Sequence, residues 1–110
     1  MSQPSYARAA MAVCAHVRLI KVVAPSADGC EDCLRIGGSW LHLRLCMTCG
    51  HVGCCDSSPN KHATAHFRKT GHPIIKSFEP GEDWGWCYVD ETDLDASGWP
   101  VNGPVAHSPY

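Results

Sequence analysis

CEDCLRIGGSWLHLRLCMTCGHVGCCDSSPNKHATAHFRKTGHP, residues 30–73, is the stretch from which the fold can be read. Two Cys-x2-Cys pairs, Cys30/Cys33 and Cys46/Cys49, are followed by Cys54, by His62-x3-His66 and by His72. The Cys-x2-Cys spacing lets two thiolates on one tight knuckle grip the same ion at about 2.3 Å, a habit of tetrahedral zinc. His62 and His66 fall one turn apart on one helix face. From there they serve one ion together or reach two different ions.

Further ligands lie on either side of this stretch. Cys14-x-His16 precedes it and Cys87 follows. With Cys30, Cys33, Cys46, Cys49, Cys54, His62, His66 and His72 these make eleven candidates. Three tetrahedral sites need about twelve ligands. Asp90 supplies the last, because it stands where a second cysteine would complete Cys87-x2-Cys, and carboxylate oxygen is a sound zinc ligand. Glu91 is a nearby substitute. Cys55 is left over, since adjacent side chains seldom reach one ion well. His42, His51 and His107 read as ordinary packed or exposed histidines.

Eight cysteines fit either a disulfide framework or metal binding in a reducing compartment. Residues 1–13, MSQPSYARAAMAV, hold one arginine and no sustained apolar run, which is not the pattern of a secretory signal. The sequence therefore predicts a cytoplasmic protein with reduced thiols and bound zinc. Met11 is an alternative start.

The local patterns predict a small α+β domain. Trp40 to Leu45 alternates with period two, placing Leu41, Leu43 and Leu45 on one face and Trp40, His42 and Arg44 on the other. Ser58 as N-cap and Pro59 at the first helical position predict a helix running to Thr70 and stopping at Gly71. Pro73 to Phe78 and Trp84 to Val89 read as strands around a turn at residues 79–83. Trp84, Trp86 and Tyr88 share one face of the last strand. The expected boundaries are a tail over 1–12, a folded domain over 13–91 and a flexible tail over 92–110. The last of these carries Pro100, Pro104 and Pro109 and shows no periodicity. A folded part this short buries too little apolar surface to stand comfortably alone, so it needs metal staples.

The 110 residues carry nine basic and eleven acidic side chains, a net charge of −2. Residues 1–76 hold all nine bases and four acids, whereas 77–110 hold seven acids and no base. This balance argues against a generally basic nucleic-acid or membrane-surface protein. No apolar run is long enough to span a membrane.

Taken in order, Cys-x-His, Cys-x2-Cys, Cys-x2-Cys-Gly, Cys54, His62, His66, Gly71-His72-Pro73 and Trp86-Cys87-Tyr88 resemble the UBP-type zinc finger. That module occurs in ubiquitin-specific proteases and in a ubiquitin-binding histone deacetylase. The chain looks like the stand-alone bacterial members. The resemblance spans Cys14 to Asp90. It implies a short twisted antiparallel sheet packed with one main helix, and cross-braced metal sites. Cys30, Cys33, Cys54 and His62 would hold one zinc. Cys46, Cys49, His66 and His72 would hold a second. Cys14, His16, Cys87 and Asp90 would hold a third, with Asp90 in place of the usual cysteine.

Four protein ligands leave no position for a catalytic water. The sequence thus predicts a non-enzymatic, monomeric interaction module. In the family, aromatics and an arginine capture the free carboxylate of the ubiquitin tail. Trp86 and Tyr88 match two pocket aromatics. The family's Arg-Tyr after the zinc cysteine is Cys55-Asp56 here, and the pocket tryptophan two residues before Cys-x2-Cys is Arg44. Asp56 repels a carboxylate, while Arg44, on the face of Trp40 and His42, can restore the cation. The expected peptide site is therefore Trp86, Tyr88, Arg44 and Trp40, for a C-terminal tail other than that of ubiquitin. Two alternatives are a nucleic-acid site using Arg35, Arg44, Lys61, Arg68, Lys69 and Lys76, and a thiol or metal sensor using Cys55.

Overall fold

The structure, a computed structural model, describes residues 14–102. The expected tail over 1–12 lies outside that range. Five strands form one antiparallel sheet: β1 Leu43–Cys46, β2 Val52–Cys54, β3 Ile74–Ser77, β4 Trp84–Cys87 and β5 Thr92–Asp95. Their spatial order is β2-β1-β3-β4-β5. Two helices accompany the sheet, α1 Glu31–Ile36 and α2 His62–Thr70, and a 3-10 turn covers Ala15–Leu19. None of these helices is long and apolar enough to cross a membrane.

Directly opposed residues in a sheet share a face. The pairs Leu43↔Cys54, Leu45↔Val52, Ile74↔Cys87 and Gly85↔Leu94 build one face. Leu43, Leu45, Val52, Ile74 and Leu94 on it are all buried. The pairs Arg44↔Gly53, Ile75↔Trp86, Trp86↔Asp93 and Trp84↔Asp95 build the opposite face. Helix α2 packs on this second face. Gly53 admits it: a Cβ there would lie 2.7 Å from the backbone nitrogen of Ala63 and 2.9 Å from its Cα.

The predicted elements are present with shifted limits, and each shift has a local cause. The first strand begins at Leu43, not Trp40, because the Leu41 N–H donates to Ser58 Oγ at 2.9 Å instead of to a strand neighbour. Leu41 is consequently exposed, not part of the apolar face. Ser58 is thereby drawn away from capping, and α2 starts three residues later than its N-cap signal suggests, at His62. Cys54 Sγ takes the cap's place, accepting the His62 N–H at 3.2 Å. Gly71 ends the helix as expected, in the left-handed region at φ 79°. Helix α1 is likewise capped by sulfur, Cys30 Sγ accepting the Cys33 N–H at 3.4 Å.

The flexible tail expected from residue 92 is corrected by the structure over 92–102. Thr92–Asp95 forms the edge strand β5, although Leu94 is the only apolar residue in it. Trp99 then folds back over β4, where a Cβ on Gly85 would meet its ring at 2.5 Å. Val101 closes a parallel bridge with Val23. Backbone pairing and one tryptophan hold this segment, and neither leaves a periodic signature.

Replacing Gly53 by Ala should drive α2 off the sheet, at about 1–3 kcal/mol for overpacking against backbone. Chemical denaturation of the zinc-loaded protein measures it, and an unchanged midpoint would contradict the packing described.

Candidate metal centres and the adjoining pocket

Twelve side chains converge in three clusters, in each of which the ligand atoms lie within 4.8 Å of one another. The clusters are Cys30, Cys33, Cys54 and His62; Cys46, Cys49, His66 and His72; and Cys14, His16, Cys87 and Asp90. The first joins the α1 cap, the end of β2 and the start of α2. The second joins the knuckle at the end of β1 to the middle of α2 and to the α2–β3 connection. The third joins the 3-10 turn to the knuckle after β4. Sequence spacing alone does not give this interleaving, in which His62 and His66 of one helix serve different clusters.

Distances test whether the clusters fit zinc. A tetrahedral ion with Zn–S bonds of about 2.3 Å and slightly shorter Zn–N bonds places sulfurs roughly 3.8 Å apart and sulfur from nitrogen roughly 3.5 Å apart. In the first cluster the Cys33 and Cys54 sulfurs are 3.9 Å apart, and His62 Nδ1 is 3.3, 3.3 and 3.6 Å from Cys30, Cys33 and Cys54. In the second, Cys46 to His72 is 3.5 Å and Cys49 to His66 is 3.3 Å. In the third, His16 Nδ1 is 3.6 Å from both Cys14 and Cys87. These separations fit. Asp90 differs: its Oδ2 accepts from the Cys14 thiol at 2.7 Å, closer than a tetrahedral edge, so the carboxylate must draw back to share an ion. Its side chain is also 41% exposed, which opens this cluster to water.

Burial sets the protonation states that an incoming ion meets. Burial pushes the Cys14 and Cys30 thiols up to about 12 and that of Cys46 to about 11. At neutral pH an ion must therefore displace their protons. Burial, with His51 and His72 nearby, brings His66 down to about 4, so its imidazole is neutral with a lone pair ready. His66 is also held in place. His51 stacks on it with ring centroids 4.1 Å apart and pairs through Nε2 with Asp32 at 2.7 Å. Asp32 in turn pairs with Arg35 at 2.9 Å. His51 was expected to be an ordinary histidine; its one sequence signal is its place directly after the Cys-x2-Cys-Gly knuckle.

On the α2 face of the sheet lies a concavity of about 320 Å³. Trp84, Trp86 and Tyr88 line it, with Ile75, Arg44, His42, Cys55, Asp56, Ser57 and Asp93. The Arg44 guanidinium lies 4.6 Å from the centroid of the Trp84 ring. It donates to the Leu43 carbonyl at 2.9 Å. Tyr88 stacks on Phe67 of α2 at 4.7 Å. Thr64 donates to Asp56 Oδ1 at 2.6 Å. Of the expected pocket residues, Trp86, Tyr88 and Arg44 meet here. Trp40 does not: its ring packs on Gly29, where a Cβ would come within 2.6 Å, and it is not among the residues lining the pocket. Trp84 provides the further aromatic wall. Asp93 has no sequence signal, because the segment that holds it reads as a tail.

The fold and its clusters define a metal-stapled zinc finger. Residues 30–98 match the family described as the zinc finger in ubiquitin hydrolases and other proteins, and the chain belongs to that family. It is similar to protein RPA1320 from Rhodopseudomonas palustris, solved by solution NMR. The two share 61% identity with a TM-score of 0.76, over 84% of this chain and 93% of that one. It is also 40% identical over 63 residues to the NAD-dependent deacetylase sir2A of Dictyostelium discoideum. That match takes in 57% of this chain and 11% of the deacetylase.

Stripping the metal should unfold the domain, because ligand binding outweighs the about 5–15 kcal/mol by which a domain is stable. Near-UV circular dichroism retained after full chelation would contradict this. Zinc affinity should fall with falling pH. Calorimetric zinc titrations in buffers of different ionisation heat should report proton release.

Proposed function

We propose that the chain is a non-enzymatic protein-interaction module held together by three zinc ions, one per cluster, whose pocket receives the C-terminal tail of a partner protein. The observation that carries the reading is Arg44. Its guanidinium lies on an aromatic wall of the pocket, and no carboxylate of the described residues lies within 4.0 Å of it. A cation so placed suits an incoming carboxylate. The pocket is large enough for a residue or two of extended chain. Family membership supports protein binding in general. The tail's identity rests on the pocket alone, and Cys55-Asp56 at its rim speaks against the ubiquitin tail.

Each cluster has four protein ligands, and closed zinc of this kind is structural. Polyanion binding is less well supported. Lys76 is buried and donates to the Ser77 carbonyl, so the basic patch needed for it loses a member. The module acts as a cytoplasmic monomer in this reading.

Asp90→Ala should lose one zinc and retain the others by native mass spectrometry; unchanged stoichiometry would remove Asp90 from the ligand set. For the pocket, a pool of random pentapeptides with free C-termini should shift the NMR signals of Trp86, Tyr88 and Arg44. The same pool amidated should not, and equal shifts from both would end the tail reading.

A further inference from the structure

A metal-binding histidine usually donates its second ring nitrogen to a carboxylate or a carbonyl, which fixes the rotation of the ring. His66 turns Nε2 to the second cluster, 3.3 Å from Cys49 Sγ, and its Nδ1 has no hydrogen-bond partner among the described residues. The ring is held by its neighbours' rings instead. His51 lies parallel to it, with an interplanar angle of 4° and centroids 4.1 Å apart. His72, a member of the same cluster, meets it edge-on at 5.4 Å.

His51 is itself fixed at three points. Its carbonyl accepts the Cys46 N–H at 2.9 Å, which closes the knuckle of the second cluster. Its Nε2–H donates to Asp32 Oδ2 at 2.7 Å. Gly53 leaves room for its ring, since a Cβ there would come within 3.1 Å of His51 Cε1. The His51 side chain is only 12% exposed, so the bond to Asp32 is sheltered from water. Arg35 holds the other oxygen of that carboxylate at 2.9 Å.

Asp32 ties this arrangement to a different cluster. It stands between Cys30 and Cys33, in the first turn of α1. Helix α1 has six residues, too few to persist unaided. An ion held by Cys30 and Cys33 therefore sets the position of Asp32, and through it the positions of His51 and of the His66 ring plane. A hydrogen bond to a carboxylate also makes the His51 ring richer in electrons, whereas a metal-bound imidazole is poorer in them, so the two stacked faces attract. Binding linkage is reciprocal, so the second cluster acts back on the first along the same path.

Resting on the reading that each cluster holds zinc, we infer that His51 is a positioning residue for the second zinc, and that Asp32 and His51 make occupancy of the first two clusters interdependent. The third cluster has no member on α1 or α2 and stands outside this linkage.

The test follows the full, zinc-loaded chain through a titration with a zinc chelator. Nitrogen–proton correlation spectra of the imidazoles report on His62 for the first cluster and on His66 for the second, each by the shift of its metal-bound nitrogen. In the natural sequence both signals should disappear over the same range of chelator. With His51→Ala the His66 signal should go first, the second zinc being held about 10–100-fold more weakly. Asp32→Ala removes no contact to a second-cluster ligand, yet should weaken that same zinc. His51→Phe keeps a stacking face without a bond to donate and should recover part of the loss. Adding Asp32→Ala to His51→Phe should then change the His66 site no further. Simultaneous loss of both signals in His51→Ala, or a further loss when Asp32→Ala is added to His51→Phe, would overturn the inference and leave the zinc reading standing. A His66 nitrogen without a metal-bound shift in the natural chain would overturn the zinc reading, and the inference with it.

Discussion

Cys54 Sγ stands at the end of β2, 3.9 Å from Cys33 Sγ and 3.6 Å from His62 Nδ1, and accepts the His62 N–H at 3.2 Å. One sulfur therefore ends a strand, starts the main helix and belongs to a metal cluster. Among the described residues no large apolar core does this instead. The buried set combines leucine, valine and isoleucine side chains with Met47, Phe78 and cysteines. Sulfur–metal coordination takes over the role that side-chain packing plays in larger domains. The same economy explains the helix starts. Ser58 and Pro59 are a strong local signal for a helix N-terminus, yet α2 waits for His62, where the sulfur already needed for coordination also caps the helix.

The sequence was most informative where chemistry demands particular residues. Cysteine, histidine and Asp90 could be assigned to ligand duty because few other side chains bind zinc. Their allocation to clusters came from family resemblance, since spacing leaves open whether His62 and His66 act together. The strands with apolar alternation were legible, as was the helix stop at Gly71. β5 was not. Its Thr-Asp-Leu-Asp run buries one side chain and is held by backbone pairing with β4, an interaction invisible in composition. Trp40 and Trp84 show a related limit. Strand alternation placed Trp40 beside Arg44, but the strand begins only at Leu43, and Trp40 turns instead to Gly29. Trp84 was correctly placed on the face of Trp86 and Tyr88. Its partnership with Arg44 depends on strand order, because β3 lies between β1 and β4 and the arginine reaches across it.

The pocket lies on the same face of the sheet as α2, over the strands beside the helix. Its aromatics come from β4 and its single guanidinium from β1. Its acids come from the turn before α2 and from the edge strand. Every one of these elements is tied to a metal cluster within a few residues, so the pocket's shape is set by coordination as much as by packing. The stacking of Tyr88 on Phe67 links the aromatic wall of the pocket to the helix that carries two of the clustered histidines.

The parallel bridge between Val23 and Val101 gives the domain a definite mechanical character. The Val23 N–H donates to Pro100 and the Asn102 N–H donates to Val23, at 3.2 and 2.7 Å. In a parallel arrangement the chain leading back from Val23 and the chain leading on from Val101 run in opposite directions. A pull on the two ends therefore loads both bonds together, in shear, and they do not peel apart one at a time. On the first of these arms the load passes next to Cys14 and its cluster. That cluster also contains Cys87 at the end of β4, so tension enters the sheet through the cluster as well as through the bridge.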